Sequence, residues 1–211
     1  MKIAILGAEC SGKTTLAQRL VTEFTHQGFS AWSALETLRE WCDTHQRTPK
    51  ANEQTDIAKL QTQRIHGAPP VDFLIADTTA LMTAIYSDVL FSDASLYPLG
   101  LKSQRDFDLT LVMGLDLPWI ADGIQRDGVE MQSQVDAKLR SVLQGKSIDF
   151  MVIYGTGEER FQNAMAAIAK AKHSPHEIIA REVPWHWVCD KCSDAQCEHR
   201  TFSALLNAKP K

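Results

Sequence analysis

Four short runs of consecutive apolar residues stand out along the chain, at positions 3–6, 73–76, 109–113 and 150–154. In these runs the apolar positions do not alternate with polar ones. That pattern is typical of strands buried on both faces, as in a parallel sheet covered by helices. A fifth and weaker strand is predicted over positions 30–35.

The apolar positions between these runs follow the three- to four-residue spacing of amphipathic helices. One such stripe follows the first run and another follows the last, where the sequence TGEE at 156–159 matches a capping box. Alternating strands and helices predict a doubly wound α/β domain over residues 1–172, with a parallel sheet and helices on both faces. Ligands of such domains bind at the carboxyl ends of the strands.

Composition narrows the classes of partner. The 211 residues are 44% hydrophobic, which suits one main core, and the net charge of −4 gives no basic footprint for nucleic acid. No apolar stretch has transmembrane length, and the first run leads directly into a glycine-containing loop rather than a signal-peptide cleavage site. We therefore expect a cytoplasmic protein with small-molecule partners, and no nucleic-acid or membrane partner.

The sequence GAECSGKTT at 7–15 has the G-x-x-x-x-G-K-T spacing of a phosphate-binding loop, in its usual place between a strand and a helix. Gly7 and Gly12 permit the backbone to wrap closely around a phosphate. Lys13 is expected to bridge the β- and γ-phosphates of ATP, and the Thr14 hydroxyl to hold Mg²⁺. The remaining predicted nucleotide contacts are Glu9, Cys10, Ser11 and Thr15.

Two carboxylates follow predicted strands and are candidates for catalysis. Asp77 ends the second run, where it would orient Mg²⁺ or its waters; alternatively it is an ordinary helix N-cap. Glu36 follows the weak strand, where a general base would face the phosphoryl acceptor. The alternative for Glu36 is the solvated face of a helix, shared with Arg39 and Glu40.

Two later loops carry arginines. The sequence LDLPWIADG at 115–123 leads to Arg126, which is typical of a lid that closes over a transferring phosphate, with Arg126 stabilising charge in the transition state. The alternative is a surface loop anchored by Trp119. After the last strand, Gly155 and Gly157 are expected to border the adenine, with Arg160 either stacked on its ring or facing water.

Together these motifs resemble the ribosylnicotinamide kinase domain of bacterial NAD-biosynthesis regulators, which belongs to the P-loop NTPases and is similar to AAA-type ATPases. The resemblance covers roughly residues 1–170 and implies ATP-dependent phosphorylation of the 5′-hydroxyl of a pyridine riboside. It places on the substrate side Glu36, Arg39, Gln61, Trp119 and Asp122, and it also rests on Asp77-Thr78, Tyr86, Pro118-Trp119 and Glu159-Arg160.

This chain departs from that family on the acceptor side. Thr37 stands where the family has an aromatic residue, and Thr79 where it has an acidic one. One extra residue separates Gly123 from Arg126, and the further basic residue expected downstream is not evident near 129–131. The H-x-G-H signature of the family's adenylyltransferase domain is also missing, so we expect only the kinase step.

Residues 173–211 form a cysteine-rich C-terminal extension in this interpretation. Cys189, Cys192, Cys197 and His199 provide three thiolates and an imidazole, a ligand set that suits a structural, tetrahedral Zn²⁺. His186 is an alternative ligand. The other possibility is a set of reduced cysteines without metal.

The sequence thus predicts a kinase that transfers the γ-phosphoryl group of MgATP to a nucleoside hydroxyl, with ribosylnicotinamide as the first candidate. Its predicted catalytic residues are Lys13, Glu36, Asp77 and Arg126. The alternative is a nucleotide-dependent ATPase or switch whose zinc-bearing tail docks a protein partner. A third possibility is a nucleotide-binding scaffold without turnover.

Overall fold

The apolar runs form four of the five strands of a parallel sheet. A computed structural model of the protein describes residues 1–118 and 129–172. Its five strands are hydrogen-bonded in the order β2-β3-β1-β4-β5, and every pairing is parallel. Their bounds are β1 Lys2–Leu6, β2 Ala31–Ala34, β3 Phe73–Asp77, β4 Leu109–Met113 and β5 Met151–Ile153. The predicted α/β architecture and all five predicted strands are confirmed.

Helices connect the strands, as the amphipathic spacing predicted. Their bounds are α1 Lys13–His26, α2 Thr37–His45, α3 Gln54–His66, α4 Ala80–Phe91, α5 Tyr97–Gln104, α6 Val129–Gly145 and α7 Gly157–Lys172, with a short 3₁₀ helix, Ala51–Glu53, before α3. Sequence reasoning missed α5, which contains Pro98 and Gly100, two of the poorest helix formers. None of the described helices is long and apolar enough to span a bilayer.

Both faces of the sheet are covered, which explains why the strands are apolar at consecutive positions. Successive side chains point to opposite faces, so Ile3 and Ile5 pack with α1 and α7, whereas Ala4 and Leu6 pack with α4 and α6. On the first face the rings of Phe24 and Phe73 stack at 3.8 Å between centroids. Burying a side chain of this size contributes about 1.5–3 kcal/mol.

The register brings three functional loops to one edge of the sheet. Ile5 of β1 pairs with Asp77 of β3, and Ala34 of β2 pairs with Ala76. The carboxyl ends of β1, β2 and β3 therefore lie side by side, with β1 between β3 and β4. The connections diverge at this central strand, and such a switch point is where open α/β sheets bind their ligands.

Candidate functional site

The loop between β1 and α1 has the backbone conformation that its glycines were expected to allow. Gly12 has a φ of 81°, in the left-handed region that glycine adopts without strain. A Cβ on Gly7 would lie 3.0 Å from both Met113 Cβ and Ser11 Oγ. Glycine at this position therefore lets the loop pass directly over the end of β4.

Hydrogen bonds within the loop hold its shape. Ser11 Oγ donates to the Ala8 carbonyl at 2.6 Å, and Lys13 Nζ donates to the same oxygen at 3.0 Å. From α6, Gln132 Nε2 donates to the Glu9 carbonyl at 2.7 Å. An ammonium has three donors, so the contact with Ala8 leaves Lys13 able to bind phosphate oxygens as well.

Arg160 supports this loop from below. Its side chain is only 5% exposed and donates to the carbonyls of Ser11, Gly155 (2.6 Å) and Gly114 (3.3 Å). It also forms an ion pair with Asp116, which in turn accepts from the Gly155 N–H. Burial lowers the pKa of Arg160, and Asp116 opposes that shift. Of the two placements left open by the sequence, a side chain facing water is excluded; Arg160 instead joins the phosphate loop to the loops after β4 and β5.

Asp77 does not cap a helix. The N-cap of α4 is Thr79, whose hydroxyl accepts from the Leu81 N–H at 3.3 Å. Asp77 is buried at the end of β3, and its Oδ1 has no hydrogen-bond partner among the described residues. A buried carboxylate oxygen without a partner is costly, which favours a cation nearby when the site is in use.

The residues at this edge fit a magnesium ion. Thr14 is the second residue of α1, directly after the loop, and Asp77 lies on the strand next to β1. Mg²⁺ in nucleotide sites is usually held by one or two protein oxygens together with phosphates and water, rather than by a cage of side chains. Accordingly, residues 1–118 and 129–172 contain no group of three or more His, Cys, Asp or Glu placed to hold a metal.

Glu36 lies between β2 and α2, with its side chain 17% exposed and Arg39 Nη2 at 3.5 Å from Oε2. Burial is the main reason that the pKa of Glu36 is raised; Asp77 raises it further, whereas Lys13 and Arg39 lower it. The solvated side of α2 is occupied by Glu40, which pairs with Arg64 at 2.5 Å. Glu36 therefore belongs to the cavity and not to the solvated helix face.

Gln61 joins two of the loops at this edge and is not among the residues that line the cavity. Its Oε1 accepts from the Thr37 N–H at 2.8 Å, and its Nε2 donates to the carbonyls of Leu35 (3.3 Å) and Thr78 (3.4 Å). The amide is buried and bonded to backbone on both sides. It thus fixes the loop that bears Glu36 against the loop that follows Asp77.

These loops open into one cavity of about 880 Å³. One end is the phosphate loop, from Glu9 to Thr15, with Glu36 and Arg39 beside it. The far end is formed by α2, the segment 48–51, the start of α3, and α4; sequence reasoning missed most of it. Its lining residues include Leu38, Cys42, Pro49, Lys50, Gln54, Tyr86, Leu90 and Phe91.

Several predicted site residues lie outside the described part of the chain. They are Trp119, Asp122 and Arg126 in the segment 119–128, and the zinc ligand set Cys189, Cys192, Cys197 and His199 in the segment 173–211. Their predicted roles stay predictions. The structure does bring together Lys13, Thr14, Glu36 and Arg39 around the cavity, with Asp77 at the adjacent strand end.

The site can be set beside known proteins. A family model described as an AAA domain matches residues 2–160. No curated protein matches the sequence significantly. Two solved structures of NadR protein, one in complex with NR and one with NAD and AMP-PNP, align with a TM-score of 0.65, 19% identity and 85% of this chain covered.

A deoxyadenosine kinase from M. mycoides, solved with the products dCMP and dCDP, aligns with a TM-score of 0.55 and 16% identity. The alignment covers 81% of this chain and 100% of the kinase. The present chain spans only about half of the NadR chains, 52% and 51% of their lengths. At these identities the similarity to the solved structures establishes the fold. The resemblance to the kinase domain of the NAD-biosynthesis regulators, which the motifs indicated, is confirmed at the level of the fold.

Proposed function

The chain belongs to the AAA domain family, and we propose that it is a kinase that transfers the γ-phosphoryl group of MgATP to a nucleoside hydroxyl. Ribosylnicotinamide is the first candidate acceptor. The observation that carries the proposal is the position of Glu36, a partly buried carboxylate that shares one cavity with the phosphate loop. The whole cavity, about 880 Å³, lies within the usual size range of small-molecule sites.

The nucleotide end of the cavity provides charge and fixed donors. The loop amides and Lys13 bind the phosphates, and Arg160 keeps the loop in shape through the Ser11 carbonyl. Thr14 and Asp77 hold the magnesium ion, which when bound neutralises charge on the phosphate oxygens. Arg126 is proposed to add positive charge to the transferring group.

The acceptor end provides the base. Glu36 accepts the proton of the attacking hydroxyl, and its raised pKa brings it closer to the pH at which it works. Arg39 keeps the Glu36 carboxylate in place and reaches the acceptor from the same wall. Trp119 and Asp122 are proposed as further acceptor contacts, while Gln61 positions the loop that carries Glu36.

Two of the structural neighbours support an acceptor of this kind. The NadR protein was solved with NR, and the deoxyadenosine kinase was solved with nucleotide products. A nucleoside acceptor is therefore within the range of ligands that this fold accommodates. The choice among nucleosides rests on the far end of the cavity.

The test is ADP release measured with a panel of nucleosides and pyridine ribosides. We expect ADP formation that depends on the acceptor and stops when the same riboside lacks its 5′-hydroxyl. The Lys13→Ala variant should lose turnover and bind ATP about 10- to 100-fold more weakly, because one charge-assisted contact is lost. Slow ADP release that is unchanged by every acceptor would instead support an ATPase or switch.

A further inference from the structure

Gln54 is a buried amide without a hydrogen-bond partner for its oxygen. It is the first residue of α3, is 3% exposed and lines the cavity. No described donor lies within hydrogen-bond reach of its Oε1. A buried amide oxygen that loses its water without gaining a partner destabilises the fold, so such a group calls for an explanation.

The other buried glutamines of the described residues do not share this property. Gln104 accepts from Thr79 Oγ1 at 2.8 Å and donates to Thr110 Oγ1 at 2.9 Å. Gln61 and Gln132 bond to backbone groups, as described above. The other three buried glutamines are thus hydrogen-bonded within the fold. Gln54 differs from them, because its oxygen has no partner and its side chain lines the cavity.

The surroundings of Gln54 are suited to a planar ring. The far end of the cavity presents mainly apolar and aromatic side chains: Leu38, Cys42, Ala51, Tyr86, Leu90 and Phe91. Aromatic and aliphatic walls bind the faces of a ring, and a single amide among them selects what the edge of that ring carries. The phosphate loop and Glu36 line the same cavity, and the reacting hydroxyl must lie beside them.

We infer that Gln54 reads the ring edge of the phosphoryl acceptor, and that the acceptor carries an N–H donor beside a hydrogen-bond acceptor atom on that edge. This inference rests on the proposed function. A side-chain amide both donates and accepts, so it forms two parallel hydrogen bonds with a primary carboxamide or with an aminopyrimidine edge. A ring carboxylate in the same position has no donor for Oε1 and brings lone pairs against it.

The experiment compares three acceptors by kcat/KM: a pyridine riboside with a carboxamide, the same riboside with a carboxylate, and an adenine nucleoside. The wild type should prefer a carboxamide or aminopyrimidine edge over the carboxylate by roughly 100-fold or more, since a site built to hydrogen-bond rejects analogues that leave it unpaired. If the carboxamide is preferred, the acceptor is a pyridine riboside. If the aminopyrimidine edge is preferred, the acceptor is a purine or pyrimidine nucleoside.

The Gln54→Met variant keeps the length of the side chain and removes both polar atoms. It should reduce the preference to within about 10-fold while leaving the KM for ATP unchanged, because the phosphate loop is intact. Gln63→Met is the matched control, since Gln63 lies exposed on the same helix. Gln54→Leu, which also removes both polar atoms, serves if the methionine variant does not fold.

Two results would overturn the inference: equal kcat/KM for carboxamide and carboxylate in the wild type, or an undiminished preference in folded Gln54→Met or Gln54→Leu. The kinase proposal is tested separately by calorimetric titration of the same ribosides. Binding that discriminates carboxamide from carboxylate through Gln54 without any ADP release would uphold the role of Gln54 and refute the kinase. ADP release that does not discriminate carboxamide from carboxylate would uphold the kinase and refute the role of Gln54.

Discussion

Replacing Arg160 by leucine should destabilise the domain and weaken ATP binding together. The guanidinium donates to three backbone carbonyls and to Asp116, and leucine leaves these acceptors unpaired beneath the phosphate loop. Hydrogen bonds from a charged donor contribute about 1.5–3 kcal/mol each, but they are not additive. Breaking a buried ion pair by removing one partner costs about 3–5 kcal/mol.

Water reduces part of this cost, because the Asp116 side chain is 31% exposed and is resolvated when its partner is removed. We therefore expect the free energy of unfolding to fall by about 3–4 kcal/mol, near the lower end of that range. The Ser11 carbonyl also loses its support, so the loop must be ordered by the ligand itself. A cost of about 1.4 kcal/mol for that ordering corresponds to a tenfold loss of ATP affinity.

Urea unfolding and calorimetric titration with ATP measure the two effects. Arg105→Leu is the matched control, since Arg105 is exposed and its one described side-chain hydrogen bond is to the Lys146 carbonyl at 3.3 Å; it should change stability by less than about 0.5 kcal/mol. Combining Arg160→Leu with Asp116→Asn should cost less than the sum of the two changes. If Arg160→Leu were no more destabilising than Arg105→Leu, the account of the loop support would be refuted.

Three further changes separate the remaining roles. Glu36→Gln should lower kcat by about 10²–10⁴-fold with ATP affinity unchanged, as expected for a general base. The same variant should be more stable than wild type at pH 7, because a raised pKa means that the folded state loses stability as pH rises through it. Asp77→Asn should raise the Mg²⁺ concentration needed for activity about tenfold, as measured by magnesium titration. Protein purified without added zinc should contain one Zn²⁺ per chain, and Cys192→Ser should lose it in metal analysis.

Each of these predictions has an outcome that contradicts it. For Glu36, the stability difference between variant and wild type must disappear below the ordinary carboxyl pKa, where the side chain is neutral in both states. Full activity of Glu36→Gln would exclude Glu36 as the general base and would mean that catalysis depends on positioning of the substrates alone. An unchanged magnesium requirement in Asp77→Asn would exclude its metal role, and a zinc-free wild type with titratable thiols would exclude the tail site.

The sheet was predictable because its signal is local. Buried parallel strands are apolar at most positions, so 109–113 could be assigned from a run that is apolar except for Thr110, and the loop at 7–15 from its spacing alone. Helix α5 was not predictable in this way. Pro98 lies in its first turn, where proline is tolerated, but Gly100 disfavours a helix, and its close packing against Leu81 of α4 outweighs that propensity. Tertiary packing, and not local propensity, therefore determines that this segment is helical.

The site was less predictable because its contacts are distant in sequence. Arg160 sits in the polar stretch EERFQN, where an arginine is normally exposed; its bond to Ser11 spans 149 positions. Gln54 likewise follows a polar segment, yet it is buried in the folded protein. Glu36 and Asp77 each had two readings because a residue between a strand and a helix can either cap the helix or face the ligand, and local sequence does not distinguish these.

The three hydrogen bonds of Gln61 have a consequence for how this scaffold can be altered. They couple the loop after β2 to the loop after β3, because one side-chain amide of α3 is hydrogen-bonded to backbone groups of both loops. A chimera that grafts residues 35–45 from another protein must therefore bring a compatible α3, or it leaves buried backbone groups unmatched. Libraries that diversify acceptor choice should vary the cavity lining and hold position 61 constant.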